Sequence, residues 1–170
     1  SAGICCYPQH ANTAAALIQG AHAAVYGAKD GKGQSNSWCF FTEDMTSAAR
    51  ERIALEARLR RALEQNHLQL YYQPQIDIES GLVVGCEALM RWMDPEQGMI
   101  SPARFIPVAE ISGLIAPLGE WALRQACRQA QAWHEQGLPD ISVAVNLSLQ
   151  QFLLTDIAAC AAKALADSGL

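Results

Sequence analysis

Residues Val83 to Trp92 form an extended, mostly apolar segment with two charged side chains set into it. Val83, Val84 and Cys86 lead in, and Leu89, Met90 and Trp92 complete it. The charges are Glu87 and Arg91, four residues apart. Strand residues at even separations share a face. Glu87, Leu89 and Arg91 therefore lie on one side, and Cys86, Ala88, Met90 and Trp92 on the other. The apolar side has to be covered by other elements. Spacing alone leaves two readings of the charged side: an ion pair on an exposed sheet face, or a barrel strand with a site at its end.

The neighbouring segments extend the pattern. Leu68 to Asp77 is a second strand and Glu79-Ser80-Gly81 a turn, so the two strands can pair as an antiparallel hairpin. Asp94-Pro95-Glu96-Gln97-Gly98 reads as a loop. Ser101 can cap a helix with Pro102 at its first position. That helix carries Phe105, Ile106, Val108 and Ala109, tolerates Pro107 with a bend, and ends at Gly113. Pro117 opens a longer helix with Leu123, Cys127, Ala130 and Trp133 on one face, ended by Gly137 and Pro139. Ile141 to Ser148 is a strand, and Ser148 can cap the next segment. Ile157, Cys160, Ala161, Ala164 and Leu165 mark a last helix, closed by Gly169. From Val83 the order is strand, helices, strand, helix, the rhythm of a parallel β/α sheet or barrel. A full barrel takes roughly 250 residues, so the 170 residues here are expected to hold only part of one.

Ahead of this lies a different piece. Ala2 to Tyr7 is an apolar strand stopped by Pro8, and Asn12 or Thr13 can cap a helix bearing Leu17, Ile18, Ala21, Ala24, Val25 and Ala28. Gly31 and Gly33 are expected to end that helix, and Ser37 to Phe41 is another short strand. Such a unit buries too little core alone and is expected to be the tail of a domain that begins upstream. Residues 42–65 read as a connecting helix with Ile53, Leu55, Leu59 and Leu63 as its apolar stripe. Arg52, Glu56 and Arg60 recur four apart and read as a solvated, self-pairing face. A helix in that position is expected to transmit orientation between domains.

Composition narrows the function. A net charge of −5 argues against a surface for polymeric nucleic acid, but leaves open a small phosphorylated ligand held locally. No apolar run approaches the roughly 20 residues of a membrane span, and no basic leader opens the chain. The six cysteines show no Cys-x-x-Cys pair, which points to a reduced, cytoplasmic setting. His10, His22, His67 and His134 have no ligand spacing and read as structural or surface residues. Asn146 ends one strand and Glu87 lies late in another, and the ends of parallel strands converge on one face of a β/α barrel. Their oxygens suit Mg²⁺ or Mn²⁺. Two oxygens are too few for a closed site, and an Asn after a strand serves equally as a cap or turn residue.

The first piece resembles the C-terminal tail of the GGDEF (diguanylate cyclase) domain. The residues concerned are Ser1-Ala2-Gly3-Ile4, Tyr7-Pro8 and Ala21-His22-Ala23-Ala24-Val25-Tyr26-Gly27-Ala28-Lys29. Lys29 matches the family's phosphate-contacting lysine. His22 stands where the family has Asp, and Gly33-Gln34-Ser35 departs from its Gly-Arg-Asn turn. The Gly-Gly-Asp-Glu-Phe loop is not in the chain, so no cyclase activity is expected from it.

The second piece resembles the EAL domain, the cyclic di-GMP phosphodiesterases. The resemblance covers Tyr72-Gln73-Pro74, Gly85, Glu87-Ala88-Leu89 with Arg91, and Pro102 with Phe105 to Glu110. It continues through Gly113-Leu114-Ile115, Leu118 to Trp121, and Val143 to Ser148. It implies an α/β fold: part of a modified (β/α)8, TIM-like barrel with one antiparallel strand, behind an α+β GGDEF tail and a linker helix. The implied divisions are 1–41, 42–65 and 66–170. The implied reaction is hydrolysis of cyclic di-GMP to the linear dinucleotide with Mg²⁺ or Mn²⁺. The implied roles are Glu87 and Asn146 as metal ligands, Glu87 also as a catalytic residue, and Gln73, Leu89 and Arg91 as substrate contacts. The family's later carboxylates and lysine fall beyond Leu170, so this chain alone is expected to be inactive, and unpaired strand edges or the linker are expected to favour a homodimer. The alternative is a non-catalytic module that binds cyclic di-GMP.

Overall fold

A computed structural model describes residues 1–30, 37–138 and 141–170, with Lys29 and Asp30 described by their backbone only. The expected helix stop at Gly31 and Gly33, the Gly33–Ser35 turn, the Lys29 side chain and Pro139 lie outside the described residues. The chain divides into two compact units, Ser1–Leu55 and Glu56–Leu170.

In the first unit, strands β1 (Ala2–Ile4) and β2 (Trp38–Phe40) pair in parallel, connected through helix α1 (Ala14–Asp30). Thr13 Oγ1 accepts a hydrogen bond from the Ala16 N–H at the helix start. Small residues let the helix lie directly on the strand: a Cβ at Gly3 would fall 2.1 Å from the Ala21 carbonyl oxygen. Ala23, Ala24 and Ala28 are buried beside it. β1 is shorter than the segment to Tyr7 suggests, because Cys6 and His10 form a turn in which His10 Nδ1 accepts from the Cys6 N–H at 2.9 Å.

Helix α2 (Glu43–Glu64) contains the boundary between the units. Leu55, Leu59 and Ala62 are its buried residues, whereas Ile53 is 65% exposed. Two residues of helix turn through about 200°, so Ile53 cannot share a stripe with Leu55. The charge run is not uniformly solvated either. Arg60 pairs with Glu56 at the surface, but Arg58 turns inward to Asp94.

The second unit is organised on strand β4 (Val83–Asp94), which has a partner on each edge. Strand β3 (Leu68–Ile76) pairs with it antiparallel, so the expected hairpin is present. On the other edge lie two short strands. β5 (Gly98–Ile100) runs antiparallel opposite Trp92–Asp94, and β6 (Ser142–Val145) runs parallel opposite Gly85–Ala88. β5 has no counterpart in the sequence pattern, where Asp94–Gly98 reads only as a loop. Asp94 folds that loop into a tight turn by accepting N–H groups from Glu96 and Gln97.

Helices α3 (Pro102–Ser112) and α4 (Ile115–Glu135) connect β5 to β6. Ser101 and Gly113 flank α3 as expected, with Gly113 in the left-handed region at φ 77°, although the Ser101 side chain makes no capping bond. α4 begins at Ile115 rather than at Pro117. Proline fits within that first turn because the N–H it lacks would have no helical partner there. After β6 come the short helix α5 (Leu149–Leu154), which the sequence pattern does not separate, and α6 (Ile157–Ser168), closed by Gly169.

The core lies on the even-numbered face of β4. Cys86, Ala88 and Trp92 are buried there, with Phe105, Ala109, Leu118 and Ala122 from α3 and α4. Trp92 and Phe105 meet edge to face at 5.7 Å, and burying a side chain of this size stabilises by about 2–3 kcal/mol. Tyr72, on the same face of the sheet, packs on Trp133 at 4.9 Å. Burial, with a smaller push from Cys86, drives its hydroxyl pKa up to about 12. The odd-numbered face is thereby left to carry Glu87, Leu89 and Arg91.

Candidate active site

Cross-strand register assembles the polar face. Gln73 stands opposite Glu87, Tyr71 opposite Leu89 and Gln69 opposite Arg91 on β3, while Ala144 of β6 stands beside Glu87. Directly paired residues point to the same side of a sheet. Asn146 lies two residues beyond Ala144, so it returns to the Glu87 face where β6 ends. Gly85 allows β6 to approach: a Cβ there would lie 2.6 Å from Ser142 Oγ.

The result is a contact between residues 59 positions apart. Asn146 Nδ2 donates to Glu87 Oε1 at 2.5 Å. Glu87 and Arg91 form no ion pair with each other among the described residues. Arg91 Nη1 instead donates to the Met90 carbonyl at 2.9 Å, and its guanidinium lies 5.6 Å from the centre of the Tyr71 ring. The ion-pair reading of this strand is therefore overturned. A cation four residues along a pleated strand is about 13 Å away by backbone rise and here folds back on its own chain.

Leu89, Arg91 and Asn146 line a cavity of about 270 Å³ that continues to Glu110, Ser148 and Gln151. Of the five residues expected at the site, Glu87 and Asn146 are in contact, Leu89 and Arg91 border the cavity beside Asn146, and Gln73 is held opposite Glu87 by strand register. Sequence patterning assigns no site role to Glu110 or Ser148, which share a hydrogen bond of their own at 2.5 Å. Ser148 is legible in the sequence only as a helix cap, a role it does fill by accepting from the Gln150 N–H.

Glu87 lies in the first half of β4 rather than late in its strand, and Asn146 follows the end of the parallel strand β6; their carboxylate and amide can bind a hard cation or a polar ligand. Among the described residues, no group of three or more His, Cys, Asp or Glu side chains is placed to hold a metal ion. Cys86 and Cys127 are poor candidates for nucleophiles, since burial pushes both thiols up. All six cysteines are free. No helix among the described residues is long and apolar enough to cross a membrane.

The EAL domain family matches residues 56–169. The bifunctional diguanylate cyclase/cyclic di-GMP phosphodiesterase MucR of Pseudomonas aeruginosa is 45% identical over 152 residues, covering 89% of this chain and 22% of that protein. The cyclic di-GMP phosphodiesterase PdeR of Escherichia coli is 43% identical over 152 residues, again 89% of this chain and 22% of the relative. The chain thus spans less than a quarter of the length of these relatives. Among solved structures, the PaMucR phosphodiesterase in complex with c-di-GMP superposes with a TM-score of 0.66 at 43% identity, over 69% of this chain and 47% of that one.

Proposed function

Because the chain belongs to the EAL domain family, we propose that it forms part of a phosphodiesterase that hydrolyses cyclic di-GMP to the linear dinucleotide. The observation that carries this reading is the Asn146–Glu87 contact, made where β6 ends against the middle of the parallel strand β4, with Asn146 and Arg91 lining one cavity. The relatives named for this activity support the substrate.

In this reading Glu87 and Asn146 are two ligands of a divalent cation, Mg²⁺ or Mn²⁺. The donor set fits: rotation of the Asn146 amide exchanges its nitrogen for its oxygen, so the pair can offer two hard oxygens. A divalent metal, when bound, polarises the phosphate and lowers the pKa of an attacking water. Arg91 releases the Met90 carbonyl and meets a phosphate oxygen with its guanidinium. Gln73 contacts the substrate across the hairpin from Glu87, and Leu89 supplies an apolar wall that excludes water beside it.

We also read the sheet as part of a modified (β/α)8 barrel in which β3 is the antiparallel strand, a reading supported by the parallel β4–β6 pair joined through helices. Residues 1–41 are read as a GGDEF tail, 42–65 as a linker helix and 66–170 as EAL. The 152-residue match to a bifunctional relative supports the first of these, because it is longer than the stretch 56–169 and must extend into the first unit. Homodimerisation and a cytoplasmic location belong to the same reading.

Hydrolysis should be measured by chromatography of the linear product with Mg²⁺ and with Mn²⁺. The whole protein is expected to turn over cyclic di-GMP and the 170-residue chain is not. Binding without turnover by the whole protein would instead favour a non-catalytic module.

A further inference from the structure

Two residues beyond Asn146, the chain leaves β6 and enters α5 through Ser148, which has extended dihedrals (φ −78°, ψ 144°). The Ser148 hydroxyl is used twice. It accepts from the Gln150 N–H at 3.2 Å, closing the first turn of α5, and it donates its only proton to Glu110 Oε1 at 2.5 Å. Glu110 stands near the end of α3, where its own carbonyl accepts the Gly113 N–H that caps the helix. A second fastening lies three residues further on. Gln151 is 2% exposed, and its side chain lies against Gly119 of α4 so closely that a Cβ there would fall 1.7 Å from Gln151 Nε2.

The turn carrying Asn146 is thus pinned to α3 by a charge-assisted hydrogen bond and to α4 by a buried side chain. Both helices pack beneath β4, which carries Glu87. Glu110 and Ser148 border the same cavity as Asn146 and Arg91, and among the described residues their side chains hydrogen-bond to each other and not to Glu87 or Asn146.

We propose that Glu110 is a positioning residue that acts through Ser148 to hold Asn146 against Glu87, and so sets the affinity of that pair for a divalent cation. This rests on the metal reading of Glu87 and Asn146. Groups that orient metal ligands are typically worth 10- to 100-fold in metal affinity, and small misplacements of a reacting group are costly. The role depends on one proton: Ser148 has it to give, and Glu110 must have an oxygen to receive it.

The test is Mn²⁺ binding to the whole protein without substrate, followed by electron paramagnetic resonance of the free ion. Ser148→Ala and Glu110→Ala are each expected to weaken binding by about 10- to 100-fold. Ser148→Thr and Glu110→Gln, which keep the donor and an acceptor oxygen, should stay within about threefold of the parent. The double variant Glu110→Ala/Ser148→Ala should be no worse than the weaker single, as expected when two changes break the same bond. Ser148→Ala removes a single oxygen, so its result stands even where Glu110→Ala does not fold. Unchanged affinity in Ser148→Ala, failure of Ser148→Thr to rescue, or losses that add in the double variant would each overturn the proposal. If Glu87→Gln abolishes Mn²⁺ binding while Ser148→Ala leaves it intact, only the positioning role falls. If the parent shows no binding that depends on Glu87, the metal reading falls and the positioning role with it.

Discussion

Glu87 and Asp94 sit on the same strand, seven residues apart and on opposite faces, and their oxygens are used in opposite ways. Asp94 is 7% exposed. Its Oδ1 accepts the N–H groups of Glu96 and Gln97 at 2.8 and 2.9 Å, its Oδ2 accepts Arg58 Nε at 3.1 Å, and Arg58 Nη2 closes a second contact. Burial alone would raise its pKa, but the Gln97 N–H, the Arg58 guanidinium and the Glu96 N–H together hold it below the usual carboxylate range. Glu87 is half-buried and has one hydrogen bond among the described residues, from Asn146. A buried carboxylate with both oxygens engaged by its own chain has little left to offer a ligand and serves the fold. One with an unengaged oxygen on an accessible face can still coordinate or accept. What separates these two residues is what surrounds each one.

The sharpest way to break that contrast is to neutralise each carboxylate system in turn. Glu87→Gln in the whole protein should reduce hydrolysis of cyclic di-GMP by more than about 100-fold, since even the outer partners of metal ligands are worth 10- to 100-fold. Its thermal midpoint should match the parent's within error. Full activity in this variant would remove Glu87 from the site.

Arg58→Ala is expected to do the reverse. It leaves Asp94 buried without its cation, which costs about 3 kcal/mol, readable by urea denaturation. Mn²⁺ affinity should not move. A stable Arg58→Ala variant would show that the two N–H groups alone satisfy Asp94.

Acid should reproduce part of that loss. A carboxylate whose folded pKa is depressed contributes stability that is present above its unfolded value, about 3.9, and is lost as pH falls through the folded value. Denaturation midpoints should therefore drop below about pH 4, and the drop should shrink in Asp94→Asn. Asp77, exposed at the hairpin turn, is also held low, chiefly by the Ser80 hydroxyl and then the Ser80 N–H, and contributes in the same direction. The smallest effect is expected from Glu56→Gln. This breaks the exposed pair with Arg60 at 3.2 Å and should cost no more than about 0.5 kcal/mol.

Much of the second unit is legible in the sequence because its strands obey a period of two. The alternation from Cys86 to Trp92 separates a buried face from a polar one, and the turn at Glu79–Gly81 implies the hairpin. Ser148 and Gly113 read correctly as helix punctuation. The features that escape are those whose signal is not periodic. β5 has three residues and α5 has six, too short for either period to declare itself. The inward role of Arg58 also escapes, because nothing local reveals that Asp94, 36 positions later, faces it. Hydrophobicity alone puts Ile53 in a stripe from which its helical angle excludes it.

Strand β4 shows where the division falls. Its order of residues determines that Glu87, Leu89 and Arg91 share a face, because pleating makes that unavoidable once the segment is extended. It cannot determine what Glu87 meets. Equal local chemistry allows Arg91 four positions away or Asn146 59 positions away, and the choice belongs to the parallel register of β6 on β4. That register exists because Gly85 admits Ser142, and because α3 and α4 bring the chain back to the same edge. Local sequence sets the direction in which a side chain points; only packing between distant segments sets what stands in front of it.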